Sequence, residues 1–182
     1  LATLPAGIAG LLFKDAIETV LRGPFPIAAM LIVVALVLWW AEKAGSFKRD
    51  LSKLSLRDAM LIGCAQAAAL IPGTSRSGAT ISTGMFLGLS RHAAARFSFL
   101  LSTPVILGAG LKAALDVSGE GGISADERLP LAVGFVVAAV SGYAVISLFL
   151  RFLQRATLRL FIVYRVVLGL IVLALALTGR AS

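Results

Sequence analysis

The 182-residue chain contains one cysteine, Cys64, and one histidine, His92. A lone cysteine excludes an internal disulfide and a cysteine-built metal cluster. Cys64 stands in an apolar helical run and reads as packing. Charge is scarce as well. Charged residues make up 14% and hydrophobic ones 59%, with a mean hydropathy of +0.96. Soluble domains carry about 25% charged and about 45–50% apolar residues. The balance excludes a soluble globular domain and gives an all-α integral membrane protein with several spans. The net charge of +8 does not argue for nucleic acid. The basic residues lie in short stretches between apolar runs, where the positive-inside rule puts them. No signal-peptide pattern, coiled coil, low-complexity segment or soluble domain is visible, nor a second copy of the hairpin described below. The chain starts at Leu1 inside an apolar run. We therefore expect a single membrane domain over 1–182, truncated at its N-terminus, the later part of a longer protein.

What is present is a series of apolar segments punctuated by turns. Residues 1–21 read as the end of a helix, with Lys14, Asp15 and Glu18 at its exit. Lys14 and Glu18, four apart, are placed to pair. After the Gly23-Pro24-Phe25-Pro26 turn, 26–41 forms a span ending in the interfacial anchor Trp39-Trp40. The polar stretch 42–58 carries Lys43, Lys48, Arg49, Lys53 and Arg57, and its Phe47, Leu51, Leu54 and Leu56 are expected on the membrane surface. Three fuller spans are predicted at 93–115, with a kink at Pro104, at 129–150 and at 158–178. Between them lie an acidic loop, 116–128, and an arginine-rich one, 151–159. Gly134, Ala138 and Gly142, and likewise Gly84 and Gly88, recur at helix-packing spacing and predict close helix contacts.

The stretch 57–89 differs from these spans. Its two predicted helices, 57–70 and 78–89, are about 21 Å and 18 Å long at about 1.5 Å per residue. Neither crosses a hydrocarbon core of about 30 Å. Two half-length helices joined by a polar turn describe a re-entrant hairpin. The loop charges agree: 42–57 and 151–159 face the cytoplasm, and 116–128 and the C-terminus face outward, only if 57–89 enters and leaves on one side.

The turn is Pro72-Gly73-Thr74-Ser75-Arg76-Ser77-Gly78. Pro72 cannot continue the incoming helix. Gly73 and Gly78 permit backbone angles and close approach. The start of the outgoing helix offers unpaired N–H groups and a positive dipole end, which favour an anion. Arg76 adds a fork of donors suited to two phosphate oxygens. Ser75, Ser77 and Thr80 add hydroxyls. An arginine at membrane depth costs roughly 2.5–3.5 kcal/mol on insertion scales, an expensive way to build a packing hinge. Gly73 and Gly78 have the spacing of a P-loop, but Ala79 stands where that motif needs lysine and no strand precedes it. An oxyanion such as a phosphate is the ligand these residues suit. The acid–base half of a phosphatase is not visible. His92 beside Arg91 reads as interfacial, no paired carboxylates lie within an apolar span, and Ser75 has no evident base. Gln66 either faces the pocket or satisfies a helix contact.

Gly63-Cys64-Ala65-Gln66, Ile71 through Ser82, Arg91, Ala93 to Ala95, Phe97-Ser98-Phe99 and Pro104 closely resemble the bacterial undecaprenyl-diphosphate phosphatase family of bacitracin-resistance proteins. The resemblance extends over nearly the whole chain, from Pro5-Ala6-Gly7 to the final spans. It implies hydrolysis of undecaprenyl diphosphate to the monophosphate, recycling the lipid carrier for peptidoglycan, in the bacterial inner membrane. It implies an inverted-repeat fold with two re-entrant hairpins. It makes Arg76 and Ser75 the catalytic candidates, and Gly73, Thr74, Ser77, Gly78 and Thr80 the substrate-binding ones. A divalent cation, Mg or Ca, follows from the resemblance, with ligands outside this segment. A polyprenyl diphosphate is the expected partner, with a homodimer as the candidate assembly. The family's other signature, an acidic E-x-x-x-E helix followed by a serine-rich turn and a histidine, is absent here. The segment alone is therefore expected to be inactive. A polyprenyl-phosphate transporter or flippase is the alternative function, since broken helices and membrane-depth anion sites also serve transport. Membrane phosphatases with histidine nucleophiles are set aside because their motifs are missing.

Overall fold

The computed structural model describes residues 1–12, 23–119 and 122–178. The expected Lys14–Glu18 pair lies outside them. Among the described residues seven α-helices follow in order: α1 Leu4–Leu12, α2 Pro24–Ala44, α3 Leu56–Ala68, α4 Arg76–Phe86, α5 Arg91–Gly119, α6 Ala125–Leu153 and α7 Arg159–Leu177. No strand occurs among the described residues, and the all-α reading holds. α2, α5, α6 and α7 are long and apolar enough to cross a membrane.

Local chemistry accounts for the boundaries. Pro24 and Pro26 sit in the first turn of α2, where a missing N–H breaks no helical bond. A capping box starts α3: Ser55 Oγ accepts the Asp58 N–H at 3.1 Å, and Asp58 Oδ2 accepts the Ser55 N–H at 3.0 Å. Ser90 Oγ accepts the Ala93 N–H at 3.1 Å at the start of α5. α5 continues through Pro104.

α3 and α4 have 13 and 11 residues, or about 20 Å and 17 Å at about 1.5 Å per residue. The mouth of this pair is tied shut. The Arg49 N–H donates to the Gly88 carbonyl, and the Ser90 N–H returns to the Arg49 carbonyl, both at 2.9 Å. The Arg49 guanidinium also holds the Leu87 carbonyl at 2.7 Å and Asp58 Oδ2 at 2.6 Å. The residues that enter α3 and leave α4 therefore meet at one end, and the pair turns back on itself without crossing.

Around this hairpin, α2 packs along α7. Gly169 permits the approach, since a Cβ there would stand 2.8 Å from Ile32 Cγ1. α4 is the central element, packed on α2, α3 and α5. Met85, Thr80, Ser82 and Ile81 are buried on it. Glu42 ties the basic ends together. It takes both Arg91 Nε (2.8 Å) and Nη2 (2.7 Å) and accepts the Leu158 N–H at 2.8 Å. The basic stretches around 42–57 and 151–159 thus share one end. Phe99 of α5 stacks edge-on with Phe149 of α6 at 5.9 Å, so the two helices run antiparallel and Ser124 lies at the opposite end. That arrangement agrees with the topology inferred from loop charge.

Three expectations are corrected. Phe47, Leu51 and Leu54 pack against the core; of that group only Leu56 is exposed. Cys64 is exposed and does not pack inside the fold. Gly134 and Gly142 have no atom within 4 Å of a built Cβ, and no residue of the apolar part of α6 is buried. The small-residue face of α6 therefore makes no close helix contact among the described residues. Gly84 does: its Cβ would stand 3.0 Å from Ala94 Cβ. Gly88 instead supplies a φ of +86° beside Arg49.

Candidate functional site

The turn between α3 and α4 is shaped by positions that ordinary residues fit poorly. Gly73 has φ +87°, and a Cβ there would lie 2.6 Å from the Ile27 carbonyl oxygen. Both the angle and the space require glycine. Ser75 takes φ +61° and ψ +110° without being glycine, a strained geometry of the sort found at functional sites. Its Oγ caps α4 by accepting the Gly78 N–H at 3.2 Å and lies 3.3 Å from Ser77 Oγ. The first backbone bond of α4 runs from the Ala79 N–H to the Ser75 carbonyl at 3.0 Å. The Arg76 and Ser77 N–H groups precede it and have no acceptor among the described residues.

Arg76 opens α4 and lines a cavity of about 550 Å³ between α1, α3 and α5, together with Leu4, Ile8, Gln66, Leu70 and Val105. Its Nη1 donates to the Ser98 carbonyl at 3.3 Å, and no carboxylate pairs with it among the described residues. A guanidinium with spare donors, set in an apolar wall, is arranged to receive an anion that carries an apolar body.

The other predicted residues do not all face this cavity. Ser75, Ser77 and Gly78 line a second, smaller cavity of about 190 Å³ on the α7 side, with Tyr164 and Arg165. Gly73 is held against α2. Thr74 is 3% exposed, with its Oγ1 unpartnered. Thr80 is wholly buried beneath the turn: its hydroxyl donates to the Arg76 carbonyl at 2.8 Å and lies 2.7 Å from Ser98 Oγ. That position makes Thr80 a support for the Arg76 backbone. Ser75 has Gly78 and Ser77 as its side-chain partners, so no base reaches it among the described residues. His92 is half-buried at the far end of the hairpin, at the start of α5.

Two contributors escaped the sequence reading. Arg165, buried in α7, donates through Nη2 to the Gly73 (2.8 Å) and Thr74 (3.2 Å) carbonyls and so pins the turn. An ionisable residue inside an apolar span was the available signal. Ser98 supplies the carbonyl for Arg76 and the hydroxyl for Thr80. Nothing in its local sequence separates it from a packing serine.

No group of three or more His, Cys, Asp or Glu side chains suited to a metal occurs among the described residues. The expected divalent cation therefore has no ligand set there.

Comparison with known proteins gives a consistent result. The family model described as Bacitracin resistance protein BacA matches residues 1–171. The chain is 48% identical over 178 residues to Undecaprenyl-diphosphatase 2 of Stutzerimonas stutzeri, covering 96% of this chain and 65% of the relative. It is 49% identical over 174 residues to an undecaprenyl-diphosphatase of Magnetococcus marinus, covering 96% and 64%. It thus spans just under two thirds of the length of these relatives. A match of this extent and identity, on a multi-pass helical fold with an arginine-bearing broken helix, places the chain in the bacitracin resistance protein BacA family.

Proposed function

We propose that the chain is the phosphate-holding part of a membrane undecaprenyl-diphosphatase. The observation that carries this is Arg76, without a carboxylate partner among the described residues, at the head of a half-length helix and in the wall of a large apolar cavity. The reaction would add water across the phosphoanhydride, giving undecaprenyl phosphate and inorganic phosphate. Arg76 and the first amides of α4 would neutralise charge on the phosphoryl oxygens, the largest service a protein gives to phosphoryl transfer. The apolar walls would take the start of the prenyl chain. Activation of water, and any divalent cation, would come from groups outside the described residues. The same reading puts the protein in the bacterial plasma membrane, recycling the lipid carrier for peptidoglycan and conferring bacitracin resistance. It also includes a homodimer.

Transport of a polyprenyl phosphate is the second reading. Cavities on both sides of one turn, at Arg76 and at Arg165, favour it. Phosphate release by the full-length protein in detergent separates the two, since no second compartment exists there. Turnover that disappears in Arg76→Ala supports the phosphatase. Turnover unchanged in that variant overturns the site, and transport without turnover favours the second reading.

A further inference from the structure

Gln66 is a buried polar residue with no part in holding the turn or Arg76. It sits on the last turn of α3 at 4% exposure and lines the same cavity as Arg76. Both its amide atoms, Oε1 and Nε2, are shut from water and have no partner among the described residues. Buried side-chain amides are nearly always hydrogen-bonded, because an unpaired one loses its hydration and regains nothing. Of the other unpartnered buried side-chain atoms among the described residues, one is on Thr74 of the turn and one on Arg165, which donates to the turn's carbonyls from α7. Unmet hydrogen-bonding capacity is thus gathered around the candidate site. Apolar residues line most of this cavity: Leu4, Ile8, Leu70 and Val105. A methionine of similar volume would suit such a wall without the desolvation cost, so a glutamine there calls for a polar partner that arrives with the ligand.

We propose that Gln66 is a second polar contact for the diphosphate headgroup beside Arg76, its side chain turning into the cavity so that Nε2 donates to a phosphoryl oxygen. The inference rests on the phosphatase reading and assigns a further binding residue to its site. A neutral donor beside the guanidinium gives direction without adding charge. It favours the diphosphate over an equally apolar lipid whose headgroup cannot accept hydrogen bonds.

The test uses the full-length protein in detergent, with Arg76→Ala measured in parallel. Gln66→Met removes the amide and keeps the volume. KM for the lipid diphosphate should rise about tenfold or more, the loss expected for a hydrogen bond to a charged group. The thermal midpoint should stay level or rise, since an orphaned amide is gone. Gln66→Glu supplies an independent readout. Its carboxylate would repel the phosphate and compete for Arg76, so activity relative to wild type should recover as pH falls and the group becomes a donor again. An unchanged KM in Gln66→Met, or a Gln66→Glu pH profile that overlays wild type, overturns the proposal. So does a lowered midpoint with normal KM, which would mean that another segment of the protein satisfies the amide. Should Gln66→Met not fold, the Gln66→Glu profile decides alone. If Arg76→Ala is dead and Gln66→Met is normal, only this inference fails. If Arg76→Ala retains full activity, the phosphatase site itself fails.

Discussion

Thr80→Val separates a substrate contact from a support beneath the site. The substitution keeps the shape and deletes one hydroxyl. That hydroxyl is fully buried, 2.8 Å from the Arg76 carbonyl and 2.7 Å from Ser98 Oγ, whose residue is 1% exposed. Losing a neutral hydrogen bond costs about 1 kcal/mol, and orphaning a buried hydroxyl adds about 1–3 kcal/mol. A total of about 2–4 kcal/mol lowers the midpoint of a domain this size by about 4–16 °C. Adding Ser98→Ala removes the orphan as well, because replacing both partners with apolar groups is nearly neutral. The double variant should therefore recover most of the lost stability, giving a coupling of about 1 kcal/mol or more in a double-mutant cycle. Thermal unfolding and phosphate release of the four full-length proteins are the assays. Activity should follow the stability pattern, with Thr80→Val reduced and the double variant partly restored. If Thr80→Val loses activity at unchanged stability, and Ser98→Ala restores nothing, Thr80 touches substrate and the reasoning is refuted.

Further predictions concern the frame of the site. Gly73→Ala should cost about 2 kcal/mol or more in thermal unfolding, because it forces a side chain to φ +87° and sets a Cβ 2.6 Å from the Ile27 carbonyl oxygen. Arg165→Met should free the Gly73 and Thr74 carbonyls and weaken binding of inorganic phosphate or pyrophosphate, measured by thermal shift, while α7 stays helical by circular dichroism. The Asp58 carboxyl is held down to about 2 from an ordinary 3.8, first by the hydrogen bond from Arg49 and then by the Ser55 N–H. A lowered folded-state value means that its contribution is complete above pH 3.8 and is lost as pH falls towards 2. With the Arg49 side chain 33% exposed, solvent screening leaves about 1–2 kcal/mol. Asp58→Asn should remove that acid-side slope from a pH series of unfolding midpoints.

The hairpin was legible because its evidence is arithmetic: helices of about 14 and about 12 residues cannot span a bilayer, and loop charges count crossings. Arg76 was legible because a charge within apolar sequence needs a reason. The orientation of Thr80 was not. Four residues beyond Arg76, it lies on the same helical face, but a threonine hydroxyl can return to the carbonyl four residues back as readily as it faces a ligand. The serines and Arg76 are adjacent in sequence, yet they open to different cavities because successive residues at a helix start diverge by about 100°. Phe47, Leu51 and Leu54 were misplaced for a different reason. Lipid and protein interior are both apolar, so periodicity cannot say which one a face meets. The small-residue stripe of α6 likewise encodes closeness without naming a partner. Arg165 carried a signal as plain as that of Arg76, an ionisable group within a span, but no glycine-bracketed turn drew attention to it.

The central claim is that Arg76 holds the diphosphate. Its most direct test is the affinity of the full-length protein for a non-hydrolysable methylene-diphosphonate lipid, compared between wild type and Arg76→Ala in detergent. The account predicts that affinity falls about 10–100-fold, the value of a hydrogen bond between charged groups, with the thermal midpoint of the unliganded protein little changed. Equal affinity in the two proteins would contradict it.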